Sequence, residues 1–302
     1  FESLRDNNSS IMKMIFIGVF SSPFSTNHCQ ARGFEHHGVK VMRYDYRERL
    51  DNLGGQVARD EELIALIKRE KPKLVLFSKC SRMDIRVVNA ANEVSKTILW
   101  YMDASNNFSG ELCRKIEAVD LALTSHEQVL SKMLDLNAQS HFIHACPDER
   151  ENFLISGCKK TIDTLFIGTS DNPIHSDRSK YLELPFVTHL QGVFGHDHNV
   201  YVNQSKINLS FAPTDASGVS VRLYKIMASG GFVLTTPWSG MQETFTIGRH
   251  LDVFSDVSEL KDKVEFYLKH DELRQEIAMN GYSLVQSNYM PQHWAKKIIE
   301  KI

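Results

Sequence analysis

Short, uninterrupted apolar runs recur along this chain, each followed by a stretch of helical period. That alternation restricts the fold more than any other feature. Residues 14–20 (Met-Ile-Phe-Ile-Gly-Val-Phe) read as a buried strand. A helical stretch over 26–37 follows, closed by Gly38, and 39–44 gives a second strand. Leu63, Ile64, Leu66 and Ile67 mark one face of a helix over 61–70 that Pro72 stops. Strands over 74–78, 97–102, 121–124 and 140–144 alternate with helices over 84–95, 111–117 and 126–134. A sheet with one wet face would alternate apolar and polar residues. These runs do not alternate, so the sheet is parallel and covered on both faces.

The segment 145–160 is polar and carries Pro147 and Gly157, which marks a linker. A second series then begins, with strands at 161–168, 207–212, 231–235 and 251–254. Helices follow at 219–229, 258–269, 273–286 and 291–302. The expected fold class is α/β: two Rossmann-like, doubly wound domains facing a cleft, over residues 1–158 and 159–288. Ligands of such sheets bind beyond the C-terminal strand ends, so the cleft is the expected site. A length of 302 residues accommodates two domains. The net charge of −2 gives no global attraction to nucleic acid or anionic membrane. No apolar run approaches the ~18 residues of a membrane span, and residues 1–10 lack a signal-peptide layout. Five cysteines without a C-x-x-C pair imply free thiols in a reducing compartment, hence a cytoplasmic location. The turn Gly18-Val-Phe-Ser-Ser22 is not G-x-G-x-x-G, which argues against a nicotinamide-dependent dehydrogenase.

The chemistry concentrates in residues 217–243. Ser217-Gly218 opens a helix whose unpaired N–H groups, including that of Val219, sit at the positive end of the dipole. Ser220 adds a hydroxyl. Arg222 and Lys225, three apart, add cations on nearly one face. A diphosphate is the simplest ligand for that set, and a capped surface helix is the plain alternative. Ala228-Ser-Gly-Gly231, an apolar strand and Gly240-Met-Gln-Glu243 come next. Gly248 to Leu251, Glu259-Leu260, Tyr267-Leu-Lys-His270 and Ile277-Ala-Met-Asn-Gly281 complete the series, with Ser205-Lys-Ile207 upstream. In this order these motifs resemble the C-terminal domain of group 1 glycosyltransferases of GT-B fold, most closely the CgeB-like (spore maturation) branch. The resemblance covers about residues 161–302.

The resemblance implies transfer of a hexose from a nucleotide-diphosphate sugar, UDP-sugar favoured, to a hydroxyl acceptor. It implies no metal and no cofactor beyond the donor. The donor contacts would be Gly168, Thr169, Ser170, Lys206, Ser217, Gly218, Val219, Ser220, Arg222 and Lys225, with Glu243 facing the ribose and Arg178 approaching from the next helix. Residues 289–302 would form a terminal helix crossing back to the first domain. Retaining members often carry two glutamates where this chain has Ser217 and Lys225, which puts a retaining mechanism in doubt and leaves a non-catalytic nucleotide- or glycan-binding protein as the rival.

The resemblance implies that the turn after the first strand borders the acceptor side of the cleft, where Ser21, Ser22, Asn27 and His28 would contact the acceptor, with His126 after the fifth strand a second candidate base. Asp103, directly after the fourth strand, is the candidate catalytic base, and Arg222 the candidate stabiliser of the leaving group. Asp103 as a turn cap and His126 as a helix-start residue are the structural alternatives. His196-Asp-His198, read as a polar loop, offers two ligands and no third, too few for zinc. Lys68, Arg69, Lys71, Lys73, Lys79, Arg82 and Arg86 form a modest basic cluster, which keeps a modified base in DNA open as an acceptor beside a glycan, a protein or a small molecule.

Overall fold

The computed structural model describes residues 11–103, 108–172, 174–175, 177–214 and 218–302. Ser217 lies outside them. In chain order, β1 (Lys13–Gly18), α1 (Asn27–His36), β2 (Lys40–Asp45), α2 (Tyr46–Asn52), α3 (Gln56–Glu70), β3 (Leu74–Ser78), α4 (Ile85–Asn92), β4 (Lys96–Tyr101), α5 (Gly110–Ala118), β5 (Leu121–Thr124), α6 (Glu127–Leu134) and β6 (Ser140–Phe142) build the first half. Its sheet is parallel throughout, in the order β2-β1-β3-β4-β5-β6. Strands β1, β3, β4 and β5 are buried almost end to end because both faces are covered. Ile17, Phe77 and Leu99 pack under one helical layer, Phe16, Leu76 and Trp100 under the other.

The second half comprises β7 (Ile162–Ile167), α7 (Ser179–Leu182), β8 (Thr188–Leu190), α8 (Gly195–Gln204), β9 (Ser205–Ser210), α9 (Val221–Ala228), β10 (Val233–Thr235), α10 (Met241–Thr244), β11 (Asp252–Val253), α11 (Val257–Lys269), α12 (Asp271–Asn288) and α13 (Pro291–Ile299). Its sheet, again parallel, runs β11-β10-β9-β7-β8. Each sheet reverses strand order once, between β1 and β3 and between β7 and β9. Such a reversal opens a crevice at the C-terminal strand ends, so two crevices face each other.

Helix α13 leaves the second half and packs on α1. Trp294 sits edge-on to Phe34 (5.6 Å) and Trp100 (5.5 Å), fully inside the first half's core. Gly33 makes the approach possible: a Cβ there would strike the Pro291 carbonyl. Pro291 is the first residue of the helix, where its missing N–H costs nothing.

Three local expectations change. Residues 46–52 form a helix capped by Asp45, whose carboxylate accepts from Arg47 and Glu48 N–H. The stretch 195–204 is helical, so His196-Asp-His198 is a first turn rather than a loop, and His198 is buried in it. A further strand, β8, is short and only half-buried, which left it no apolar signature.

Candidate active site

Two arginines without an ion-pair partner among the described residues meet at the β7 end. Gly168 follows β7 with φ +155, a conformation that favours glycine. A Cβ there would meet Arg222 Nη2 at 2.6 Å. Arg222 Nε donates to the Ile167 carbonyl (2.9 Å), and its guanidinium lies over the Phe166 ring at 4.8 Å. Arg178 lies over the same ring at 5.0 Å and donates Nη1 to the Thr169 carbonyl (2.9 Å). Two guanidinium groups thus share one aromatic ring. Arg222 is half-buried as a residue, but its Nη1 is sealed from solvent; Nη1 of Arg222 and Nε and Nη2 of Arg178 have no hydrogen-bond partner among the described residues. Neither arginine makes an ion pair with a described carboxylate. Burial lowers Arg222 from 12.5 to about 10. Burial, with repulsion from Arg222, lowers Arg178 to about 9, and Asp171 only partly offsets this. A buried charge without a counter-charge is costly, and an arriving anion relieves the cost.

Lys225, one turn beyond Arg222, is half-buried; burial first, and then the fields of Lys225 and Arg222, hold the His198 imidazole neutral down to about 3. Ser220 caps α9: its Oγ accepts from Arg222 N–H (3.2 Å), which leaves the hydroxyl proton free to donate outward. Gly218 (φ +156) bridges to His126 of the first half, and a Cβ there would meet His126 Nδ1 at 2.7 Å. His126 Nε2 lies 3.0 Å from the Met102 carbonyl, so this histidine is a seam between the halves.

Two contiguous cavities open here. One, of about 210 Å³, lies between the halves and is lined by Gln30, Trp100, Asp103 and His126 on one side and Val219 and Ser220 on the other. Asp103 is the one carboxylate among its described lining residues, and it is ion-paired to Lys79 at 2.5 Å. The other, of about 210 Å³, is walled by Arg178, Tyr181, Phe211, Thr214 and Thr236 of the second half. His175 and Pro213 border both.

Several residues expected in the site stand elsewhere. Lys206 lies near the start of β9, at the opposite end of the sheet from the cleft, paired with Asp163 (2.7 Å). Its position after Ser205 signalled a strand but not which end of it faces the cleft. Asn27 is buried as a stitch of the β1–β3 crevice: Oδ1 accepts from Val19 N–H (2.8 Å) and Nδ2 donates to Ser78 Oγ (2.9 Å). The second Nδ2 proton goes to Gln30 Oε1 (2.8 Å), so both donors are spent inside the fold. His28 is turned back onto the Phe20 ring and the Ser22 carbonyl, while Ser21 and Ser22 are exposed. Glu243 lies on the seam facing Glu127, whose carboxyl burial and this neighbouring charge push up. Thr169 and Ser170 follow Gly168 at the rim.

Sequence reasoning missed His144, which joins the halves through Tyr224 Oη at 2.7 Å from its Nδ1; burial holds it neutral down to about 4. No local pattern marks it, because its partner is 80 residues away.

Two facing parallel-sheet domains with the site between them define the GT-B class of glycosyltransferase folds. The chain belongs to the Glycosyl transferase-like family, whose profile matches residues 144–300. HepE from Anabaena, solved with UDP-glucose, superposes with a TM-score of 0.71 at 10% identity, over 96% of this chain and 98% of its own. Sucrose-phosphate synthase from Thermosynechococcus elongatus gives 0.67 at 11% identity over 96% and 98%. A glycosyltransferase from Rickettsia africae gives 0.64 at 11% identity over 97% and 98%. At such identities the likeness establishes the fold alone. No curated protein matches the sequence. Among the described residues no helix is long and apolar enough to cross a membrane.

Proposed function

We propose that this protein transfers a hexose from a nucleotide-diphosphate sugar, UDP-sugar favoured, to an acceptor hydroxyl, with inversion and without a metal ion. The observation that carries the reading is the pair of arginines on Phe166, with guanidinium nitrogens sealed from solvent and short of a counter-charge at the end of β7. A diphosphate against Gly168, Thr169 and Ser170 would supply that charge. Gly218, Val219 and Ser220 at the α9 N-terminus would donate to its oxygens, and Lys225 would add long-range field. The nucleoside would occupy the cavity under Arg178, Tyr181 and Thr236, and the sugar the cleft toward Asp103.

In the reaction the acceptor oxygen bonds to C1 of the sugar. The bond between C1 and the diphosphate oxygen breaks, and its electrons leave with the nucleotide. Asp103 takes the acceptor proton once its bond to Lys79 opens. Arg222 and Arg178 stabilise the charge growing on the leaving diphosphate, in a site that needs no reorganisation. Lys225, where retaining relatives often hold a glutamate, supports inversion. Residues 1–158 would carry the acceptor, 159–288 the donor, and 289–302 would tie the two. The motifs of residues 205–281 support membership of the CgeB-like branch, and the free thiols support a cytoplasmic location.

The test is turnover of UDP-glucose, UDP-galactose and UDP-N-acetylglucosamine by purified protein, followed as UDP release without added metal and after chelation. The reading expects release with at least one donor, unaffected by the chelator and abolished in Arg222→Ala. Binding of UDP with no release from any donor, in the presence of an acceptor panel, would instead favour a nucleotide-binding protein.

A further inference from the structure

A third cavity, of about 240 Å³, lies wholly in the first half, beside the cleft. Its floor is the loop after β3, where Lys79, Cys80 and Arg82 all have left-handed backbones (φ +59, +54 and +57) although none is glycine. Such a backbone is unfavourable for any residue with a Cβ and persists only where its surroundings impose it. Here they do. Lys115, buried, donates to the Cys80 carbonyl (2.6 Å) and to Glu111 (2.5 Å). Arg59, fully buried beside Asp60, donates to the Arg82 carbonyl (2.5 Å). Asp60 accepts from Asp84 N–H (3.0 Å), and Lys79 N–H donates to the Trp100 carbonyl (2.9 Å). Two buried cations and one buried acid therefore hold a short loop in an unfavourable shape.

That shape points Lys79 at Asp103 and opens the cavity. Ser81, Ser109 and Lys115 line it together with Tyr101, Glu111 and the Lys79–Asp103 pair. Tyr101 is 5% exposed, yet its hydroxyl has no partner among the described residues. A buried hydroxyl left unpaired is costly and marks a place for a ligand group. Asp103 lines this cavity and the cleft both, so a group bound here reaches the carboxylate facing the donor.

The lining charges balance: Lys79 and Lys115 against Asp103 and Glu111. A polyanion would find as much repulsion as attraction. A neutral polyol fits, since each of its hydroxyls both accepts from the ammonium and phenol groups and donates to the carboxylates. We infer that this cavity is the acceptor subsite and that it takes a neutral saccharide rather than a nucleic acid or an acidic glycan, with Tyr101 and Ser81 as its recognition residues. This rests on the donor reading above.

Saturation-transfer NMR on the full chain, with and without saturating UDP, tests it. The probes are the methyl pyranosides of glucose, galactose, mannose and N-acetylglucosamine, against glucuronate and a thymidine decanucleotide. The expected result is saturation of at least one neutral glycoside and of neither anion, with the neutral affinity falling about tenfold in Tyr101→Phe and in Ser81→Ala while UDP affinity stays within twofold. Anion binding in preference to the glycosides, glycoside binding indifferent to both variants, or no glycoside binding beside normal UDP binding would each overturn the inference. Glycoside binding with no UDP binding would leave the subsite standing and remove the donor reading.

Discussion

Replacing Arg178 by methionine should make the ligand-free protein more stable and the donor site much weaker. The guanidinium is nearly inaccessible (3% exposed), and its partners are one carbonyl and two aromatic faces. At ~1.4 kcal/mol per pH unit, its fall from 12.5 to about 9 corresponds to roughly 5 kcal/mol of charging cost. The lost bond to Thr169 returns about 1.5–3 kcal/mol of that, and the two ring contacts about 0.5–1 kcal/mol each. Methionine keeps most of the apolar stem and removes the repulsion on Arg222. A net gain of up to about 2.5 kcal/mol follows, a rise of as much as ~5 °C in Tm. Removing a charge-assisted donor to the diphosphate should meanwhile weaken UDP by about 10–100-fold. Scanning calorimetry gives the first quantity and titration calorimetry the second, on one preparation. A lower Tm with unchanged UDP affinity would refute the reasoning, because Arg178 would then be a structural residue satisfied by its rings.

Three further outcomes follow from the same physics. Asp103→Asn should lower kcat by ~10²–10⁴-fold while leaving UDP affinity unchanged, measured by steady-state turnover; an unaltered kcat would take the proton acceptor elsewhere. His144 and His198 are held neutral to about 4 and about 3, so the unfolded chain binds their protons first as pH falls below 6.5. Stability from them is complete above pH 6.5 and declines toward pH 3; urea titrations at pH 7.5 and 5.0 should differ by about 2–4 kcal/mol, a gap reduced in His144→Gln. Trp294→Ala should cost about 3–5 kcal/mol, because it empties a site enclosed by Phe34 and Trp100, and thermal melts of that variant report it.

Much of the fold is written locally. Strands buried on both faces leave unbroken apolar runs, so residues 74–78 and 121–124 can be read residue for residue, and Pro72 marks where α3 stops. Strand β8 is only half-buried and α8 has a weakly amphipathic pattern, and both escaped. Within the site, Gly168 and the 218–220 turn were legible because a backbone that must pass close to a ligand or a neighbour selects glycine and small polar residues. The pairing of Arg178 with Arg222 on Phe166 was not, since it joins the start of α7, the first turn of α9 and strand β7 through space. Lys206 shows the opposite failure: its type suited a phosphate, but a strand has two ends, and only the topology says which one meets the cleft. Asn27 was expected to border the cleft and Asp103 to follow a strand directly, yet the first is taken up by Val19 N–H, Ser78 and Gln30 and the second is held by Lys79.

The most direct measurement is a calorimetric titration of the protein with UDP, GDP, ADP and CDP in metal-free buffer. The account predicts one site per chain, a clear preference for one diphosphate with UDP favoured, and loss of the heat in Arg178→Met and Arg222→Ala. Absence of binding by all four to folded protein would contradict it.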